Sequence, residues 1–112
     1  MNGDQVGLYR KNATLTERLI VPMEGIDLVV PTGTAIQNAR TAVAERLTRD
    51  GYHLTMGYGG YIASLCFFSA LTGEDISRVE WVPNEVTPEQ KAVAIAAVNA
   101  ALKNPFDITS LA

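Results

Sequence analysis

Residues 25–47 of the chain read GIDLVVPTGTAIQNARTAVAERL. The first part, residues 26–30, is a short apolar run rich in β-branched side chains and bounded by a glycine and a proline. Runs of this kind are typical of buried parallel strands. A Pro-Thr-Gly turn follows, Thr34 can cap a helix, and apolar side chains recur at helical spacing through residues 35–47. The stretch therefore predicts a strand, a tight turn and an amphipathic helix, which is the βα unit of an α/β protein.

Further helices are predicted on both sides of this unit. Residues 3–19 favour one or two short helices, and residues 57–72 favour a helix that is apolar nearly all round and should be buried on more than one side. The last helix begins at Thr87 with a capping-box pattern and ends before Pro105. The single strand needs a partner, because its backbone groups must be paired. That partner is either the N-terminal segment, residues 76–82, or another chain.

Composition and charge exclude several classes of protein. With 112 residues the chain makes one domain. Its net charge of -3 and its pI near 5.0 argue against a nucleic-acid partner. No apolar run approaches the roughly 20 residues of a membrane span, and the first residues have no signal-peptide core. The compartment stays open, because an export signal could lie in a missing N-terminal part.

Cysteine content and motifs imply no cofactor. The single cysteine, Cys66, excludes an internal disulfide and a Cys-based zinc site. We expect neither a metal nor an organic cofactor.

The segment Asp50-Gly51-Tyr52-His53 places a carboxylate and an imidazole three residues apart, in a loop before a helix. In a serine hydrolase the histidine takes the proton of the nucleophile, while an acceptor holds its other ring nitrogen and sets the tautomer. A carboxylate three residues earlier can do this from the same segment. The alternative is a purely structural role, in which Asp50 only stabilises the turn, since Asp-Gly is a common turn pair.

The ordered combination of several segments resembles the C-terminal part of SGNH/GDSL hydrolases, in one uncharacterised bacterial branch of that superfamily. These segments are VPTGTAIQNAR (residues 30–40), DGYHLT (50–55), GYIA (60–63) and LTG (71–73). The similarity covers about residues 25–102. It implies that residues 1–112 form the C-terminal half of a three-layer, flavodoxin-like α/β domain, a mostly helical fragment with one or two parallel strands. The implied chemistry is hydrolysis of acyl esters, including those of acetylated carbohydrates.

The resemblance assigns roles to four residues. His53 would be the general base and Asp50 its orienting acid, and Thr34 and Gln37 would line the floor of the substrate pocket. The family's Gly-Asp-Ser block and its Gly-x-Asn-Asp segment are missing, and no Gly-x-Ser-x-Gly elbow is present. Ser64 and Ser69 lie inside the apolar helix. The chain therefore carries only the Asp–His half of a triad, and a missing N-terminal half or a separate chain would supply the serine.

The rival hypothesis is a non-catalytic remnant that self-associates or binds a partner through the surface that its missing half once covered. The lone strand and the all-round apolar helix both need covering. We therefore expect a homo-oligomer or a complex with a missing N-terminal half.

Overall fold

Four α-helices and two short helical turns make up the regular structure in the computed structural model, which describes residues 4–51 and 53–112. The helices are α1 (Gln5–Leu15), α2 (Thr32–Arg40), α3 (Tyr58–Thr72) and α4 (Pro88–Lys103). A π-helical turn, Thr16–Ile20, continues α1, and a 3₁₀ turn, Ile76–Arg78, lies between α3 and α4.

The predicted α/β architecture is wrong. The described residues contain no strand or sheet, only an isolated antiparallel bridge between Thr48 and Leu54. Residues 26–30 run along the surface, with Ile26 41% and Leu28 48% exposed. Residues 76–82 supply no pairing strand either, because they begin with the 3₁₀ turn. An apolar, β-branched run forms a strand only where a neighbouring strand and a surface are available to it, and the described chain provides neither.

Helix α2 differs from the predicted helix at both ends. It begins at Thr32, so Thr34 lies inside it and does not cap it. It ends at Arg40, where the Thr41 hydroxyl donates to the Asn38 carbonyl (2.6 Å) and accepts from the Leu111 amide (2.8 Å). A threonine hydroxyl that bonds to the local backbone competes with helix continuation. Residues 41–57 are consequently free to form the loop that carries Asp50 and His53.

Helices α3 and α4 match their predicted signals more closely. Helix α3 stops before Gly73, which adopts the left-handed conformation at φ 73°. Helix α4 starts with the predicted capping box between Thr87 and Gln90. The expectation that α3 is buried on more than one side holds only for its N-terminal half, because Phe67 and Leu71 are 49% and 66% exposed.

The core lies where α2, α3 and α4 meet. Small side chains allow close approach of α4, since Ala94, Ala97 and Ala101 are fully buried. Ile62 of α3 is likewise completely buried. One polar side chain joins the core: Asn38 of α2 donates to the Ala97 carbonyl (3.1 Å) and accepts from the Thr109 amide (2.6 Å). Ala39 at the end of α2 and Tyr58 at the start of α3 belong to this core, so packing places both ends of the intervening loop.

Candidate functional site

The Asp50–His53 loop is a small hairpin closed by backbone hydrogen bonds. The Thr55 amide donates to the Leu47 carbonyl (2.9 Å), and the Arg49 amide donates to the His53 carbonyl (2.6 Å). Gly51 takes φ +96°, a conformation that favours glycine. The Asp-Gly pair therefore turns the chain back on itself, which brings the carboxylate and the imidazole to the same side of the loop. Tyr52, between them, lies outside the described residues.

Asp50 holds His53 through both carboxylate oxygens. Oδ1 accepts from the His53 backbone amide (2.7 Å), and Oδ2 lies 2.6 Å from the His53 ring Nδ1. The histidine and aspartate side chains are 56% and 49% exposed. In the neutral imidazole, an Nδ1–H that donates to a carboxylate places the basic lone pair on Nε2. The carboxylate thus both caps the turn and sets the tautomer, so the two interpretations made from the sequence are compatible.

The N-terminus of α3 anchors the far side of this loop. The Thr55 hydroxyl accepts a hydrogen bond from the Gly59 amide (2.9 Å). Gly59 lies so close to the Leu47 carbonyl oxygen that a Cβ atom at this position would overlap it. The missing side chain therefore allows the helix and the loop to make direct backbone contact.

A cleft of about 300 Å³ lies between α1, the start of α2 and the hairpin loop. Its lining combines aliphatic side chains, carboxamides and hydroxyls, and no charged side chain is among them. The lining residues are Gln5, Leu8, Tyr9, Asn12, Thr32, Gly33, Ile36, Gln37, Thr48, Gly51 and Leu54. Asp50 and His53 do not line the cleft, but their neighbours Gly51 and Leu54 do, so the pair stands at its rim.

The two predicted pocket residues occupy different places. Gln37 lines the cleft and is only 7% exposed, and its Oε1 accepts from the Arg40 guanidinium (2.8 Å). Thr34 lines a separate cavity of about 130 Å³. Its hydroxyl donates to the Pro105 carbonyl (2.5 Å), so the Tyr9 hydroxyl, 2.8 Å away, is the donor to Thr34. Thr34 thus joins α1, α2 and the C-terminal segment, and the structure does not bring it together with Gln37.

Three of the four serines, Ser64, Ser69 and Ser77, bond within their own segments. Ser64 donates to the Gly60 carbonyl (2.9 Å), and Ser77 donates to the Asp75 carboxylate (2.7 Å). Ser69 makes a longer bond to the carbonyl of Glu74 (3.4 Å). These contacts are typical of structural serines and assign none of them as a nucleophile.

Cys66 is fully buried, and burial raises the pKa of its thiol. A buried thiol with a raised pKa is a poor nucleophile. Within residues 4–51 and 53–112, no three His, Cys, Asp or Glu side chains cluster in a way that could hold a metal ion. In the same ranges no helix has the length and apolarity needed to cross a bilayer.

Sequence reasoning missed the contribution of α1 to the cleft. Gln5 and Tyr9 reach it from a helix whose apolar periodicity is too weak to show which face points inward. That Thr48 lines the cleft could not be predicted either, because a buried threonine beside a loop has no sequence signature. Only the packing of α1 against α2 and the loop assembles these residues.

Comparisons with known proteins give a consistent picture. Residues 2–101 match the model of a family described as Domain of unknown function (DUF4886). The chain is also similar to the crystal structure of a DUF4886 family protein from Bacteroides uniformis ATCC 8492, with 33% sequence identity and a TM-score of 0.85. That similarity covers 93% of this chain and 40% of the other. No curated protein matches the sequence. The expectation of an uncharacterised bacterial family is confirmed at that level, whereas neither match refers to SGNH/GDSL chemistry.

Proposed function

The chain belongs to the DUF4886 family, and from that starting point we propose that it is an SGNH-hydrolase-like protein that carries the acid–base half of a serine esterase site. His53 is the general base and Asp50 is the residue that orients it. The observation that carries this proposal is the 2.6 Å contact between the His53 Nδ1 and the Asp50 Oδ2 in a loop at the rim of a neutral cleft.

The proposed chemistry is acyl transfer from an ester to a hydroxyl nucleophile. Nε2 of His53 takes the hydroxyl proton while the oxygen attacks the ester carbonyl, and the Asp50 carboxylate stabilises the imidazolium that forms. The imidazolium then protonates the departing alcohol, which leaves an acyl-enzyme. Water, activated by the same imidazole, releases the acid and restores the hydroxyl.

The nucleophile itself is proposed to come from outside the 112 residues. The chain spans 40% of the length of the solved family member that it matches, so a family protein has room for a serine block in the rest of its polypeptide. A longer polypeptide or a separate chain would place that serine against His53. The same requirement makes a missing half or a second copy the expected partner.

Hydrolysis of p-nitrophenyl acetate by the purified chain tests the acid–base role of the pair, because His53 can activate water directly on this reactive ester where no serine is present. We expect His53→Ala to lower the rate at least about a hundredfold, since general base catalysis contributes roughly 10²- to 10⁴-fold. Asp50→Asn should lower it as well, whereas Asp27→Asn makes the same change at an exposed site remote from the loop and should not. A rate unaffected by His53→Ala would refute the role of His53. Absence of hydrolysis above the His53→Ala background would refute the esterase function for this chain alone.

A second candidate function is a non-catalytic module that binds a second copy or a partner. The observation that favours it is the set of large apolar side chains on the surface, including Leu19 (60% exposed), Met23 (53%) and Leu28 (48%). Val21, Ile26 and Leu28 line one cavity on this surface, and contiguous exposed apolar surface is typical of interaction sites. Sedimentation at micromolar concentration should then show a dimer or larger species, and a compact monomer would contradict this candidate.

A further inference from the structure

The Gln37 carboxamide presents a hydrogen-bond donor to the cleft. Its Oε1 accepts from the Arg40 guanidinium (2.8 Å), and arginine can only donate. The guanidinium of Arg40 therefore fixes the orientation of the Gln37 amide. The Nε2 group is left facing away from Arg40. It has no hydrogen-bond partner among residues 4–51 and 53–112, although Gln37 is only 7% exposed and lines the cleft.

A second donor, the Thr48 hydroxyl, faces the same cleft. The Thr48 hydroxyl oxygen accepts from the Gln5 side-chain amide (3.3 Å) and from the Gly51 backbone amide (3.2 Å). Both acceptor positions of a hydroxyl are then used, and its O–H remains as a donor. Thr48 is 6% exposed and lines the cleft. No side chain or backbone group among residues 4–51 and 53–112 accepts from the Gln37 Nε2 group or the Thr48 O–H, so a ligand oxygen in the cleft can accept from both in place of water.

The other walls of the cleft restrict the rest of the ligand. No charged side chain lines it, which disfavours a charged ligand because no counter-charge compensates the lost hydration. Leu8, Ile36 and Leu54 provide aliphatic surface. The volume of about 300 Å³ lies at the small end of ligand sites. The ligand is therefore small and neutral, and combines an acceptor oxygen with an apolar group.

We propose that this cleft binds a small acyl group, whose carbonyl oxygen accepts from Gln37 Nε2 and Thr48 Oγ1 and whose alkyl part packs on the aliphatic walls. Arg40 is a positioning residue, because it orients the Gln37 amide without touching the ligand. The inference rests on the proposed function in one respect: the acyl group is the part of an ester on which the Asp50–His53 pair at the rim would act. Binding itself requires no turnover.

Titration with N-acetylglucosamine, followed by ¹H–¹⁵N NMR of the side-chain amides, tests the assignment. Its acetyl group is held by an amide, which an esterase pair does not cleave, and glucose is the matched sugar without the acyl group. We expect N-acetylglucosamine, and not glucose, to shift the Gln37 amide resonance. Equal binding of both sugars, or binding of neither, would overturn the assignment to an acyl group.

Substitutions of Gln37 test whether its side-chain amide donates to the ligand. Gln37→Glu replaces the donor by an acceptor that pairs with Arg40, and should weaken binding roughly tenfold or more. Asn99→Asp makes the same chemical change at an exposed position of α4 and should leave binding unchanged. If Gln37→Glu does not fold, Gln37→Met removes the donor without adding charge and carries the same expectation. Unchanged binding in the folded donor variant would refute the role of Gln37.

Arg40→Met tests the positioning role separately. Without the guanidinium the Gln37 amide can turn over, so the Gln37 resonance should move even in the free protein while binding of the acetyl sugar weakens. A Gln37 resonance and an affinity that both stay as in the unmodified chain would exclude this role.

The His53→Ala variant separates this inference from the proposed function. Acyl binding retained in His53→Ala supports the cleft assignment, whatever the result of the hydrolysis assay. Hydrolysis that depends on His53, combined with no acyl binding in the cleft, would refute the cleft assignment. It would not contradict the proposed role of Asp50 and His53.

Discussion

Replacement of Gly59 by alanine tests whether close contact between α3 and the loop holds the candidate site in place. The new Cβ atom would overlap the Leu47 carbonyl oxygen and lie 2.9 Å from the Thr55 hydroxyl oxygen and 3.3 Å from the Leu54 Cβ. The carbonyl belongs to the backbone and cannot rotate away, so the helix and the loop must separate. Gly60 is the matched control, because its Cβ would come no closer than 3.4 Å to the Thr55 carbonyl oxygen.

The two alanine variants should change stability in opposite directions. Gly→Ala at a compatible helical position stabilises a protein by about 0.4–1 kcal/mol, which is the expectation for Gly60→Ala. Forcing an atom into a packed contact costs about 1–3 kcal/mol, which outweighs that gain in Gly59→Ala. The two variants should therefore differ by about 2 kcal/mol. With a urea dependence of about 1–3 kcal/mol per molar, their unfolding midpoints should lie about 1 M apart.

Urea unfolding followed by circular dichroism measures the difference in the free energy of unfolding. NMR shows whether the substitution changes the conformation of the loop. The chain contains a single histidine, so one set of imidazole resonances reports on the loop. Gly59→Ala should shift these resonances, and Gly60→Ala should not. Equal midpoints with an unmoved His53 signal would refute the claim that this contact positions the site.

Two further predictions concern the core. Asn38→Leu removes both hydrogen bonds of a fully buried amide and leaves the Thr109 amide without its acceptor. The free energy of unfolding should therefore fall by about 2–4 kcal/mol. The exposed change Asn99→Leu should stay within about 0.5 kcal/mol in the same urea assay. Burial raises the pKa of Tyr58 from 10.0 to about 12. Because the unfolded tyrosine ionises first, this contribution to stability is complete below pH 10 and is lost as the pH rises to about 12, and Tyr58→Phe should lack this loss.

The contact between Asp50 and His53 follows from local sequence. A carboxylate and an imidazole three residues apart, separated in part by a glycine that can take positive φ, need only a turn to meet, and the turn chemistry lies within the same four residues. The start of α4 is equally local, because the Thr87–Gln90 capping box satisfies amides within one helical turn. The end of α3 at Gly73 depends on the backbone preference of a single residue. Such features could be predicted because no distant part of the chain is needed to form them.

Features that depend on distant residues were decided by the tertiary structure alone. Residues 26–30 have the composition of a strand, but strand formation requires a neighbour, and the described chain leaves them on the surface. Thr34 looks like a helix cap in sequence, yet its hydroxyl bonds to Pro105, 71 residues away. The cleft exists only because α1 packs against α2 and the loop, which places Gln5 beside Thr48 across 43 residues. Hydrogen bonds and apolar contacts at that separation leave no periodic trace in the sequence, because each depends on which surfaces the whole chain brings together.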